Sequence, residues 1–145
     1  MITERKGGFL ISKIHQISGR IFAKKLKEYE IEINPAQGRI LFVLWEKDGI
    51  SIQELGQKTS LGKSTLTSML NRLEKAKYIQ LKRSTDDDRK KIITLTEKDK
   101  QLHGKYKKLS KEMNQLFYNG FSNEEIDIFE ERLQKGLQNL TDFYN

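Results

Sequence analysis

Two short segments with helical periodicity are separated by only four residues, 59–62, and this spacing limits the possible fold most strongly. The first segment, residues 51–58, opens with a capping-box pattern at Ser51 and Glu54. In the second, which lies within residues 61–77, apolar residues recur at helical spacing, so one side is apolar and the other polar. Two short helices joined by a tight turn, with the second polar outside, are typical of a helix-turn-helix.

The second helical segment has an inner and an outer face. Its inner face consists of Leu66, Met69, Leu70 and Leu73, which follow the 3.6-residue period. Short hydroxyl side chains on the outer face let the backbone approach DNA, and cations there suit phosphates. The alternative is a solvated polar face. We expect DNA contacts from six outward residues: Lys63, Ser64, Thr65, Thr67, Ser68 and Arg72.

A charged β-hairpin is predicted directly after this helix. Residues 78–83 and 92–95 have strand patterns, and the acidic segment between them has turn chemistry. Arg89 lies near a narrow tip and suits the negative potential of a minor groove, although a surface ion pair is the alternative. We expect Asp87 to orient a neighbouring cation. Arg83, Lys90 and Lys91 are candidates for phosphate contact, or simply for solubility.

Further helices flank this central unit. The sequence predicts one over residues 9–29, one opened by a capping box at Asn34 and Gln37, and a long helix capped by Thr96. The last helix is predicted to open with a capping box at Ser122 and Glu125. Because the terminal helices carry apolar stripes that little else in the chain covers, we expect them to bury one another and a second copy. The expected division is a dimerisation helix over residues 1–33, a DNA-binding domain over 34–96 and dimerisation helices over 97–145.

Composition favours a polyanionic partner. The net charge is +7, and residues 34–96 contain twelve Lys or Arg against seven Asp or Glu. The chain has no cysteine, which excludes thiol redox chemistry, and no metal-ligand cluster or cofactor motif is evident. No arrangement of catalytic residues stands out, so we do not expect an enzyme. Without a signal core or membrane-length apolar run, a cytoplasmic location is expected.

Three motifs at matching separations carry a family resemblance. They are Ile33-Asn34-Pro35-Ala36-Gln37 with Arg39, Leu61-x-Lys63-Ser64-Thr65-Leu66-Thr67 with Arg72, and Asp87-x-Arg89 with Leu95-Thr96. With these motifs, residues 31–96 resemble the MarR family of winged-helix transcription regulators. The resemblance implies a mainly α fold with a small antiparallel β-wing, flanked by N- and C-terminal dimerisation helices. It also implies a homodimer that binds double-stranded DNA and represses until a small, often aromatic and anionic, effector binds.

Residues on the first two helices could line such an effector pocket. The alternative is that the histidine among them lies in a dimer interface and that the arginines are simply exposed. Other functional readings are a winged-helix module for protein partners and a transcriptional activator. The candidate effector residues are His15, Ser18, Arg20 and Arg39.

Two positions depart from the pattern of that family. Lys77 stands where glycine is common, and a lysine at positive φ costs about 1 kcal/mol, so we expect this turn to be built differently. Gly38 stands where a bulky residue is usual, although glycine inside a helix is disfavoured by about 1 kcal/mol against alanine. We expect its missing side chain to leave room for a neighbour or a ligand.

Overall fold

The structure is a computed structural model that describes residues 4–86 and 90–145. Over these residues the chain forms six helices and three short strands. In chain order they are α1 (Gly7–Glu28), α2 (Pro35–Glu46), β1 (Ile50–Ser51), α3 (Ile52–Thr59), α4 (Lys63–Lys75), β2 (Ile79–Arg83), β3 (Lys91–Leu95), α5 (Asp99–Phe117) and α6 (Asn123–Tyr144).

The strands form one antiparallel sheet in the order β1-β3-β2. Ile79 pairs with Leu95 at one end of the hairpin, and Arg83 pairs with Lys91 at the other. The two-residue strand β1 pairs Ile50 with Ile93 and was not predicted, because two residues show no periodicity. A mainly helical chain with a small antiparallel sheet confirms the predicted fold class.

Helices α2, α3 and α4 and the sheet enclose the main core. Its fully buried side chains come from every one of these elements, including Leu44, Leu55, Leu70 and Ile93. On α4 the predicted inner residues Leu66, Leu70 and Leu73 are buried, whereas Met69 is half-buried. Burying one such side chain contributes about 1.5–3 kcal/mol, so this apolar stripe fixes which face of α4 remains outside.

The predicted capping box at the start of α2 is confirmed. Asn34 Oδ1 accepts a hydrogen bond from the Gln37 amide at 2.8 Å, and Gln37 Oε1 accepts one from the Asn34 amide at 2.8 Å. Pro35 occupies the first helical position. Asn34 also donates through Nδ2 to Met69 Sδ at 3.2 Å, so the same side chain links the start of α2 to α4.

Gly38 makes room for a neighbour, which is one of the two outcomes expected from the sequence. A Cβ at this position would lie 2.7 Å from Tyr106 Oη. The Tyr106 ring packs edge-on against Phe22, at 5.7 Å between centroids, and in a tilted arrangement against Trp45, at 4.9 Å. Gly38 therefore lets the α5 tyrosine pack directly on the backbone of α2.

Two expectations about helix ends are wrong. Lys77 does adopt positive φ, at 69°, because the end of α4 closes as a Schellman turn in which Tyr78 N donates to Leu73 O and Lys77 N donates to Glu74 O. Thr96 does not cap a helix that begins at residue 97. Helix α5 begins at Asp99, and the Thr96 hydroxyl donates to Lys77 O at 2.5 Å.

The chain divides into two compact units, one up to Leu109 and one from Ser110 to Asn145. The second unit has its own aromatic cluster, in which Phe129 lies 5.8–6.2 Å from the rings of Phe117, Tyr118 and Phe121. The Ser122–Glu125 capping box that opens α6 is confirmed. Tyr118 Oη donates to Glu130 at 2.6 Å, and this hydrogen bond raises the pKa of Tyr118 to about 12.

Candidate nucleic-acid interface

Helices α3 and α4 form the predicted helix-turn-helix. The turn begins at Ser60, which adopts φ 57° and donates its amide to Gly56 O at 3.0 Å. Thr59 is buried, and its hydroxyl donates to Leu55 O at 2.8 Å. Helices α3 and α4 pack closely at Gly56, where a Cβ would lie 3.4 Å from Leu66 Cδ2. The tight turn therefore results from a buried threonine and a close helix contact.

The outer face of α4 is the candidate recognition surface. All six residues predicted there are exposed, opposite the buried leucine stripe. Lys63, Ser64, Thr67 and Ser68, together with Asn71, line one shallow open depression of ≈ 580 Å³. Asn71 faces outward by helical period, but its side chain was not among the predicted contacts. Hydroxyl, amide and ammonium groups on one helix face can bond to base edges and phosphates.

The predicted wing is present as the β2–β3 hairpin. At its outer end Arg83 and Lys91 are direct cross-strand partners, and Ser84 N donates to Lys90 O at 2.8 Å. The three predicted phosphate contacts, Arg83, Lys90 and Lys91, are thus brought together and are exposed. The predictions for Asp87 and Arg89 fall on residues outside those that the structure describes.

The wing is fixed to the helical core at two backbone amides. Leu81 N donates to Glu74 Oε2 at 3.0 Å, which satisfies an amide of the edge strand β2 with a side chain from α4. Leu95 N donates at 3.0 Å to Asp48 Oδ1, which also accepts the Gly49 amide. The orientation of the wing therefore depends on α4 and on the turn after α2.

The ion pairs of the winged helix among the described residues lie at Glu54, away from the cations of the candidate interface. Glu54 pairs with Lys47 at 3.2 Å and with Lys58 at 3.4 Å, and the hydrogen bond from Lys47 is the main reason that the pKa of Glu54 is lowered. By contrast, no ion pair joins an interface cation to another described residue. This holds for Lys63, Arg72, Arg83, Lys90 and Lys91.

The candidate effector residues lie on α1 and α2. Ser18 Oγ donates to His15 O at 3.3 Å, and Arg39 Nη1 donates to Thr59 O at 3.4 Å. Arg20 is exposed and lies five residues, or about 140° of helical rotation, from His15. An open groove of ≈ 840 Å³ follows the end of α1 and includes Leu26, Lys27 and Ile31. None of the four candidates is among the described residues that line it.

A buried carboxyl that sequence reasoning missed lies at the start of α5. Asp99 is only 3% exposed; its Oδ2 accepts a hydrogen bond from Trp45 Nε1 at 2.7 Å, and Oδ1 has no partner among the described residues. His103 stacks on the Trp45 ring at 4.3 Å. Burial raises the pKa of Asp99, against the lowering effects of the Trp45 hydrogen bond and His103.

The described residues bring no three metal-binding side chains together, and none of their helices is long and apolar enough to span a membrane. A helix-turn-helix with an exposed polar second helix, followed by a cationic β-wing, defines a winged-helix DNA-binding protein. The chain belongs to the SarA/Rot family of transcriptional regulators, whose model matches residues 20–106. The MarR-type resemblance is confirmed, and this family consists of transcription regulators rather than enzymes.

A curated relative is also named as a transcriptional regulator. The chain is 37% identical over 87 residues to the HTH-type transcriptional regulator TtmR of Methylorubrum extorquens, an alignment that covers 60% of this chain and 44% of TtmR. The chain spans about half the length of such curated relatives.

Solved structures share the fold. A MarR regulator from Methanosarcina mazei superposes with a TM-score of 0.84 at 23% identity, covering 98% of this chain and 94% of the other. The Bordetella bronchiseptica protein BpsR, whose DNA binding is described as regulated by 6-hydroxynicotinic acid, superposes with a TM-score of 0.79 at 21% identity. That match covers 90% of this chain and 98% of BpsR.

Proposed function

We propose that this chain binds double-stranded DNA sequence-specifically as a homodimer and represses transcription until a small effector releases it. The observation that carries the proposal is the uninterrupted polar and cationic face of α4 opposite a buried leucine stripe. In a helix-turn-helix this face of the second helix enters the major groove. We propose that Lys63, Ser64, Thr65, Thr67, Ser68 and Arg72 make the contacts there.

The charge arrangement at the end of the wing supports phosphate binding. Arg83 and Lys91 are directly opposite one another in the antiparallel ladder, and like charges in that position destabilise a strand pair. A phosphate between them would relieve the repulsion. We propose that Arg83, Lys90 and Lys91 contact the backbone while Arg89 enters the minor groove, oriented by Asp87.

Exposed apolar surfaces on the terminal helices support a homodimer. On α1, Phe9 is 66% exposed, and on α6, Leu140 is 71% exposed, each within a larger apolar stripe. Helix α1 carries five basic residues and one acidic residue, whereas α6 carries six acidic and two basic residues. We propose that segments 1–33 and 97–145 pair with those of a second copy. Such pairing would bury the apolar stripes and would bring the basic α1 and the acidic α6 of different copies together.

The decisive test is binding to DNA as salt is varied. The chain is mixed with the DNA upstream of its own coding region and with random duplex of equal length, and binding is followed by filter retention. We expect tighter binding to the upstream DNA, and an affinity that falls steeply with salt, since each phosphate contact adds about 0.9 to the logarithmic slope. Equal binding to both duplexes, or no salt dependence, would contradict the proposal.

Substitutions on α4 and the wing locate the contacts. If Arg72 contacts a base, Arg72→Ala should reduce affinity for the specific duplex by about 1–3 kcal/mol. Lys91→Ala should instead reduce affinity for the specific and the random duplex to the same extent. Lys135→Ala on α6 removes the same charge outside the winged helix and serves as the control. If all three variants behave alike, the proposed interface is wrong.

An anionic aromatic molecule is the class of effector that we propose. BpsR is described as responding to such a compound, and His15, Ser18, Arg20 and Arg39 offer hydrogen-bond donors and positive charge. The complex with DNA is challenged with a panel of phenolic and hydroxypyridine carboxylates, with His15→Ala, Arg39→Ala and Lys27→Ala as variants. If only Lys27→Ala abolishes the release of DNA by a compound, the effector occupies the groove after α1. If no compound releases DNA from the unmodified protein, the effector proposal fails.

The direction of regulation needs a separate measurement. We propose repression because the resemblance implies it; an activator would present the same DNA-binding surface. Transcription from the bound promoter in vitro should fall as the protein is added and recover with an active effector. A rise on addition would assign an activator and leave the DNA-binding proposal intact.

A further inference from the structure

The turn between the recognition helix α4 and the first wing strand β2 accepts hydrogen bonds from the short segment between β3 and α5. We propose that Thr96 and Lys98 form a clasp that keeps this turn in its left-handed conformation and so positions the wing relative to α4. Neither residue needs to touch DNA for this role, so both are positioning residues. The inference rests on the proposed DNA-binding function.

The turn requires support because of its backbone conformation. Lys77 adopts φ 69°, a region that side-chain-bearing residues avoid because the Cβ approaches the following carbonyl oxygen. Strand β2 begins only two residues later, at Ile79. A change of backbone angle at Lys77 would therefore rotate the whole hairpin with respect to α4.

Three successive carbonyl groups of this turn accept hydrogen bonds from the clasp. Lys98 Nζ donates to Ala76 O at 2.8 Å, Thr96 Oγ1 to Lys77 O at 2.5 Å and Thr96 N to Tyr78 O at 3.1 Å. Carbonyls at a helix C-terminus carry partial negative charge, so an ammonium group is a favourable donor there. The clasp thus satisfies each carbonyl on both sides of the strained residue.

A second contact fixes the lysine itself. Lys98 Nζ lies 4.8 Å from the centroid of the Tyr78 ring, a distance at which a cation is attracted to the ring face. The ammonium group is therefore engaged by a carbonyl and an aromatic ring at once. For the wing cations Arg83, Lys90 and Lys91, by contrast, the described residues show no ion pair and no ring contact of this kind.

The test is a double-mutant cycle between Lys98→Met and Lys77→Gly in the full chain. Methionine keeps the apolar stem of lysine without its donor, and glycine adopts positive φ without strain. We expect Lys98→Met to weaken specific DNA binding about 10-fold, within the usual range of coupled contacts. In the Lys77→Gly background, Lys98→Met should reduce the affinity for specific DNA about 2-fold or less, since glycine adopts the conformation of the turn without the clasp.

Controls separate positioning from direct contact. Lys98→Met should leave binding to random duplex and the salt slope unchanged, whereas loss of a phosphate contact would lower the slope by about one. Thr96→Val should behave like Lys98→Met, and Thr96→Ser should restore binding. Lys100→Met removes a charge from the same region, where Lys100 forms an exposed ion pair with Glu97 at 2.9 Å, and should have no effect.

A measurement without DNA tests the clasp independently. Amide hydrogen exchange at Lys77 and Tyr78 should accelerate at least several-fold in Lys98→Met, and this acceleration should vanish in the Lys77→Gly background. If exchange is unchanged and the two substitutions are additive in binding, the clasp does not exist. If the unmodified chain fails to discriminate specific from random DNA while exchange responds as expected, the proposed function fails and the clasp stands.

Discussion

At the scale of single residues, Gly38 is the position where one added carbon matters most. A methyl group there would lie 2.7 Å from Tyr106 Oη, whose ring is held by Phe22 and Trp45. We expect Gly38→Ala to lower the free energy of unfolding by about 1–2 kcal/mol, because overpacking outweighs the gain of about 1 kcal/mol in helix propensity. Urea denaturation followed by circular dichroism measures the change.

Gly104 provides the matched control for this substitution. It also lies inside a helix, but a Cβ there would meet nothing within 4 Å. Gly104→Ala should therefore stabilise the chain by up to about 1 kcal/mol. Tyr106→Phe removes the clashing oxygen and should recover part of the loss in Gly38→Ala. A stabilised Gly38→Ala variant would show that the contact with Tyr106 is looser than the structure indicates.

Asp99 makes stability depend on pH in the sense opposite to that of an ion-paired carboxyl. Its pKa in the folded chain is raised, chiefly by burial, so the folded state binds its proton more tightly than the unfolded state does. Stability from this group is therefore present at low pH and is lost as pH rises from about 3.8 through the raised value. We expect Asp99→Asn to be more stable than the unmodified chain at pH 7, by on the order of 1 kcal/mol.

The pH profile of this difference is the informative measurement. Asparagine retains an acceptor for Trp45 Nε1 but carries no charge, so the advantage should shrink as pH falls and Asp99 becomes protonated. Asp127→Asn on the exposed face of α6 is the control, and its effect should be small. A variant at Asp99 that is less stable at every pH would mean that the charged carboxylate is needed.

At the scale of elements, the N-cap of α2 joins two helices through one side chain. Asn34→Ala removes the cap on the Gln37 amide and the contact with Met69 of α4, and should cost about 1 kcal/mol of unfolding free energy. Asn34→Ser keeps a capping oxygen and should recover most of that loss. If both variants are equally destabilised, the contact with Met69 matters more than the cap.

Local sequence patterns predicted those helices and strands that form because of interactions between residues close in sequence. The Asn34–Gln37 box, the leucine stripe of α4 and the hairpin strands follow from capping, period and turn chemistry within a few residues. Helix α5 was predicted to begin two residues too early, since Thr96 bonds to a carbonyl nineteen residues away. Strand β1 exists only because β3 lies beside it.

The outward-facing residues of the candidate interface could be predicted from local patterns. The long-range hydrogen bonds around that interface could not. Outward residues of α4 follow from helical period once the buried stripe is known. The carbonyl groups around Lys77 accept hydrogen bonds from Thr96 and Lys98, and Asp99 accepts one from Trp45, so these contacts join residues that are distant in sequence. Such contacts override residue preferences, and a single sequence does not display them.

At the scale of the whole molecule, the terminal helices determine the assembly that we propose. Leu137 on α6 is 57% exposed within the apolar stripe, and a buried glutamate there would be unpaired. We expect Leu137→Glu to shift the protein from dimer to monomer in sedimentation equilibrium and to weaken operator binding at least 10-fold, because two half-sites are no longer read together.

A charge-matched control keeps this test specific. Gln134→Glu adds the same charge to an exposed polar position on α6 and should leave the dimer intact. An unmodified chain that sediments as a monomer at micromolar concentration would contradict the homodimer. If the Leu137→Glu variant stays dimeric, the dimer interface does not include this part of α6.

Trp45 is the single tryptophan of the chain, and it lies between Asp99 and His103 of α5 while belonging to α2. Its intrinsic fluorescence therefore reports on the contact between these two helices without any attached dye. Carboxyl and imidazole groups beside an indole alter its emission, so a displacement of α5 against α2 changes the signal. Operator or effector titrations can thus be followed optically on the unmodified protein, with one fluorophore at one known position.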